Sequence, residues 1–136
     1  MTIPNTRELT ERIFTDLDAL PAQIGAMELD TVDMRHQLRD AERALENAEL
    51  DAVINAVIDG KNETVRKQQE RQAITNSITA QAAKDRVNQL QAQIGAHEVN
   101  TKTLMRQYQA AMAMAELQAA RLNMMAKYTK QPQGVN

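Results

Sequence analysis

The only imidazoles in this 136-residue chain are His36 and His97, and there is no cysteine to join them. They are the first place to look for metal binding or proton transfer. A zinc or other transition-metal site needs several ligands converging on one point. Neither histidine has a second His or Cys three or four residues away, the spacing that places two side chains on one helical face. Glu98 follows His97 directly, so on a helix the two side chains diverge. His36, between Arg35 and Gln37, reads as solvated, and His97 reads as a register residue in an apolar seam. Asp40, Glu42, Glu46, Glu49 and Asp51 are of the type that binds hard cations, but they spread around a helix with Arg39 and Arg43 among them. A salt-bridged, solvated surface accounts for them better. No nucleophile elbow, phosphate-binding loop, dinucleotide fingerprint or EF-hand loop occurs. The absence of cysteine excludes disulfides and thiolate metal sites and leaves the redox compartment open. The expectation is a protein that is not an enzyme and has no cofactor and no metal.

Two other groups could act on a partner. Lys61, Arg66, Lys67 and Arg71 form a basic cluster that Lys84 and Arg86 extend, and Lys67 and Arg71 share a helical face. Such a cluster could touch phosphates. With Phe14, Tyr108 and Tyr128 as the only aromatic residues, there is no stacking platform for bases. Glu63 and Glu70 are alternative partners for these cations. The second group is Met105, Met112, Met114, Met124 and Met125, of which Met105 and Met112 are one heptad apart. Flexible, polarisable methionines fill irregular cores and also serve adaptable interfaces. Met105, Met112, Met124 and Met125 are the candidate second interface.

The elements that must position these groups are long helices. Four glycines, three prolines and abundant Ala, Gln, Glu, Arg and Leu fit that class. Asn5, with Glu8 three residues on, is a capping-box-like start. Ile13, Phe14, Leu17 and Leu20 make an apolar stripe that Pro21 interrupts, predicting a short helix over 6–19 and then a break or kink. A second helix is predicted over 21–59. Ile24, Thr31, Leu38, Leu45 and Ala52 recur every seven residues, as do Met27, Met34, Ala41 and Ala48, forming a coiled-coil-like seam. Near its end the seam widens into Leu50, Val53, Ile54, Val57 and Ile58.

Asp59-Gly60-Lys61-Asn62-Glu63 then punctuates the chain. Gly60 can adopt the left-handed conformation that closes a helix, and Asn62 with Glu63 suits the start of the next. The last helix is predicted over 63–127, with a break near 76 as the alternative. Val87, Ile94, Thr101, Tyr108, Ala115 and Leu122 share one heptad position, and Leu90, His97, Leu104, Ala111, Gln118 and Met125 share the other. Residues 128–136 read as a flexible tail. Ala22-Gln23-Ile24-Gly25-Ala26 recurs as Ala92-Gln93-Ile94-Gly95-Ala96, with the two glycines equally far from Gly60. Reversal at Gly60 would bring them level and allow close helix approach.

The fold class is therefore all-α: a long antiparallel helical hairpin, coiled-coil-like, with a short N-terminal helix before the proline, in a single domain over 1–127. Charge supports the pairing. Residues 1–59 carry 5 Lys/Arg against 13 Asp/Glu, and residues 60–136 carry 11 against 5, so an acidic arm (net −8) can fold on a basic one (net +6). No apolar run approaches the ~20 residues that span a bilayer, and Met1–Asn5 resembles no secretion signal. The expected location is the cytoplasm, without membrane contact.

Asp59-Gly60-Lys61-Asn62, followed by Arg66-Lys67, resembles a signature of short helical proteins encoded in bacteriophage and prophage genomes. That group places a DGKN…RK element between two coiled-coil-like segments. The resemblance implies a phage origin, hence the host cytoplasm, and no active site. Capping accounts for Gly60 and Asn62 but less well for the basic pair. The leading expectation is a non-catalytic, homo-oligomeric accessory protein acting through protein–protein contacts with a partner not identified by the sequence. Gly60, Lys61, Asn62, Arg66, Lys67 and Arg71 are its candidate hinge and partner-contact residues. One alternative is a nucleic-acid-binding factor in phage recombination or replication; another is a virion-assembly or scaffolding protein.

Overall fold

The computed structural model describes residues 6–130, and within them the chain is all-helical. Helix α1 spans Thr6–Ile54, α2 spans Glu63–Asn76 and α3 spans Ile78–Lys130. The proposed Asn5 cap and residues 131–136 of the tail lie outside the described residues. Tyr128 and Thr129, assigned to the tail, belong to α3. No helix among the described residues is long and apolar enough to cross a membrane.

The expected interruption after residue 19 does not occur: α1 passes through Pro21 as one helix of 49 residues. An interior proline costs roughly 3 kcal/mol through a lost hydrogen bond and a clash with the preceding turn. Packing outweighs that cost. Ile13, Leu17, Leu20, Ile24, Met27 and Thr31 follow one unbroken 4-3-4-3-4 spacing across the proline. All six are buried or half-buried, and only a continuous helix keeps them on one stripe. Burying Ile13 and Leu20 alone is worth about 1.5–3 kcal/mol each. Pro21 itself is exposed, on the side where water can serve the carbonyl left without a donor. Phe14, counted with the stripe from its neighbours, is one position out of phase and 61% exposed.

The chain divides into two compact units. One holds Met1–Glu28 and Val99–Asn136. Its described core is Ile13, Leu20 and Ala111, with Gln118 buried among them and donating from Nε2 to Thr10 Oγ1 at 3.2 Å. The other holds Leu29–Glu98, with Thr31, Ala48, Ala80, Val87, Leu90 and Ile94 buried. There Arg35 Nη2 donates to Glu98 Oε1 at 2.7 Å, an exposed ion pair between α1 and α3. In both units the fully buried residues fall in phase with the heptad positions, while half-burial extends beyond them to residues such as Asp16, Ala19, Glu49 and Val53. The pattern stops at its far end: Leu122 and Met125, in phase with the seam, are 57% and 66% exposed.

Helix α1 ends at Ile54 rather than 59. Its last hydrogen bonds run from Asn55 N to Asp51 O (3.0 Å) and, one residue tighter, from Ala56 N to Val53 O (3.3 Å). The widened apolar face expected there stays partly uncovered, with Leu50, Ile54 and Val57 all exposed. The continuous last helix is interrupted at Ser77, the alternative position near 76. Ser77 ends one helix and starts the next. Its N–H donates to Ile74 O at 3.2 Å, and its Oγ accepts from Ala80 N at 3.2 Å. Gln81 Nε2 also donates to Ile74 O, at 3.3 Å. Short polar residues favour such caps because their side chains replace backbone partners.

A Cβ built on Gly25 or Gly95 would meet nothing within 4 Å. Close helix approach therefore explains neither glycine, and the repeated Ala-Gln-Ile-Gly-Ala segment has no packing role of that kind.

Leu90 is 1% exposed, whereas Leu122 occupies an equivalent seam position in the open. Leu90→Ala is expected to cost about 2–5 kcal/mol of stability, and Leu122→Ala less than about 1 kcal/mol. Urea unfolding followed by circular dichroism at one fixed protein concentration checks the contrast; equal losses would contradict it.

Candidate functional site

The hinge between α1 and α2 is the site that the sequence marks most clearly. Asn62 starts α2 as expected: it is extended, with φ −138° and ψ 168°, and its side chain accepts from Val65 N at 2.9 Å. Glu63 lies in the first turn of α2, where negative charge meets the positive helix end. Gly60 does not close α1 in a left-handed conformation; no described glycine has positive φ. Its requirement is space. A Cβ there would lie 2.8 Å from Val65 Cγ1, 3.0 Å from the backbone N of Arg66 and 3.1 Å from Gln69 Oε1.

The hinge folds back onto the first turns of α2 and is clamped there. Gly60 N donates to Gln69 Oε1 at 3.0 Å, and Arg66 Nε donates to Gly60 O at 2.9 Å. Gln69 Nε2 in turn donates to Asp59 Oδ1 at 2.9 Å. Arg66 and Gln69 are three residues apart and so share a helix face. An amide side chain carries both a donor and an acceptor, which lets Gln69 bridge the Asp59 carboxylate and the Gly60 N–H. Sequence reasoning missed Gln69. Its helical spacing from Arg66 was visible, but the return of residues 59–60 onto that face was not.

The candidate hinge residues therefore divide. Gly60, Asn62 and Arg66 build the turn. Lys67 Nζ makes an exposed ion pair with Glu63 Oε1 at 3.2 Å, one helical turn away. Lys61 and Arg71 are exposed cations outside the clamp. Such exposed pairs contribute little to stability; the clamp works by geometry, holding the chain direction between the helices.

The methionines do not form one patch. Met105 and Met112, about two-fifths exposed, share one heptad position of α3, Met124 lies on the opposite flank, and Met125 is in phase with the seam but exposed. Of the histidines, His36 is exposed and His97 half-buried. Among the described residues no group of three or more His, Cys, Asp or Glu could hold a metal ion. An open cavity of about 480 Å³ is lined by Ala48, Asp51, Asn55, Ala73, Asn76 and Ser77, among others, from the end of α1, α2 and the break before α3. Its lining also includes the Thr79 hydroxyl, and the Ser77 Oγ is engaged as the acceptor from Ala80 N.

Gly60→Ala is expected to destabilise the chain by about 1–3 kcal/mol, since backbone as well as side chains would have to move. Asn62→Ala should cost about 1 kcal/mol, and Lys67→Ala less than about 0.5 kcal/mol. Denaturant unfolding of the three variants gives the order; a Lys67 effect as large as that of Gly60 would contradict the clamp.

No family model, no curated protein and no solved structure matches the chain.

Proposed function

We propose that this chain is a non-catalytic, phage-type accessory protein that works by protein–protein association, with α1 and α3 as the two arms of an antiparallel, coiled-coil-like hairpin. The Thr10–Gln118 and Arg35–Glu98 contacts each join an early residue to a late one, as that pairing requires.

One observation carries the association reading. Between residues 107 and 129, α3 has only Glu116, Arg121 and Lys127 as charged residues. Leu117, Leu122, Met124, Met125 and Tyr128 are each more than half exposed. A helix apolar on most sides is normally covered, and contiguous exposed apolar surface marks an interaction site. The nucleic-acid reading has less behind it. Of its four cations, Arg66 is engaged with Gly60 O and Lys67 with Glu63.

Affinity capture with the tagged full-length chain from phage-infected cells tests the proposal. A stoichiometric protein partner, or self-association, should be retained in high salt and lost in the Met112→Gln, Met124→Gln double variant. Retention of nucleic acid alone, released by salt and by Arg66→Ala with Lys67→Ala, would replace the association reading with the nucleic-acid one.

A further inference from the structure

In the unit containing the start of α1 and the end of α3, each helix carries a second apolar stripe on the side away from the buried seam. On α3 it comprises Val99, Ala110, Ala113, Leu117, Ala120 and Met124, all exposed. These residues keep a 4-3 spacing half a turn from the seam, and Arg106 is the one charge in their row. On α1 the matching row is Thr15, Ala19, Ala22 and Ala26, also spaced 4-3-4. Ala19 is half-buried and the others are exposed.

The surroundings of the two rows differ in sign. Asp16, Asp18 and Glu28 border the α1 stripe; Glu11 is paired to Arg7, and Arg12 lies in the same row one turn before Thr15. Lys102, Arg106, Arg121 and Lys127 accompany the α3 stripe, against Glu116 and against Glu98, which pairs with Arg35. The small side chains of α1 leave room for the larger Val99, Leu117 and Met124 of α3. The chain thus supplies both halves of a complementary contact, which its own hairpin cannot make because each stripe faces away from the seam.

We infer that the occupant of the α3 stripe is a second copy of this chain, presenting the acidic α1 stripe. The inference rests on the association reading above and specifies its partner and faces. The contact is heterologous: each copy offers one stripe of each kind on opposite sides, so pairing two copies leaves one of each unfilled. Assembly therefore proceeds beyond the dimer, to a ring or an open array.

Because the chain has no cysteine, single-cysteine reporters are unambiguous. Ala22→Cys and Ala113→Cys variants of the full chain, mixed and mildly oxidised, are expected to form the mixed 22–113 disulfide in preference to either same-site disulfide. Sedimentation of the unmodified chain should show species larger than dimers as concentration rises, shrinking in high salt. Leu117→Glu should weaken association by about tenfold or more, with helix content by circular dichroism unchanged. If that variant loses helicity, the disulfide pattern decides alone. Predominance of the 113–113 disulfide overturns the pairing in favour of an α3–α3 contact. A monomer at the highest soluble concentration overturns the inference; capture of a different protein, lost in the Met112→Gln, Met124→Gln variant, would then leave the association reading standing, and its absence would remove both.

Discussion

Burial of one narrow stripe on each long helix is the interaction on which the rest of the structure depends. With one Phe, two Tyr and no Trp, the stripe must be filled by Ala, Leu, Ile, Val and Met, which suits a two-helix seam rather than a thick core. Leu90 is the one large side chain buried almost completely among the described residues. Each layer of such a seam removes little apolar area from water, at about 25 cal/mol per Å², so stability accumulates along its length. That explains helices of 49 and 53 residues. It also explains why a proline inside α1 is tolerated: breaking the helix would put every layer on one side of Pro21 out of phase with those on the other. Polar seam residues are accommodated by pairing. Gln118 bonds Thr10, and no buried side-chain nitrogen or oxygen among the described residues lacks a hydrogen bond.

The hinge follows a different logic. Its bonds are mostly exposed and individually worth about 1 kcal/mol or less, yet together they define how the chain leaves α1 and enters α2. Gly60 is required because Val65, Arg66 and Gln69 occupy the space a side chain would need. Arg66, read from the sequence as a candidate for phosphate or partner contact, holds the Gly60 carbonyl. The marked residues from Asp59 to Lys67 thus have a structural account in most positions, and Lys61 and Lys67 are the ones left outside the clamp.

A stripe-based fold also shapes the functional proposal. Beyond its buried stripe, most of the circumference of each helix remains available, and on α1 from Glu28 onward it is largely charged. The second half of α3 is the exception, with apolar residues on several sides and few charges. Extended helical surfaces with sign-segregated charge recognise other helices well, because charge selects the partner and orientation while apolar contact supplies most of the affinity.

The sequence by itself determined the helical class, the phase of the buried stripe on each long helix and the Asn62 cap. These are local properties: a heptad period places residues on one helical face whatever lies opposite, and a cap bonds a backbone group three residues away. The tertiary structure alone decided the passage through Pro21, the early end of α1 at Ile54, the interruption at Ser77 and the exposure of Leu122 and Met125. Each depends on whether another segment covers the position, and coverage is not encoded in the local pattern. The hinge shows both limits in one place. The Asp59–Asn62 punctuation was legible, because capping residues declare themselves. That Gln69 and Arg66 would clamp Gly60 was not, since it required the path of the chain between the helices.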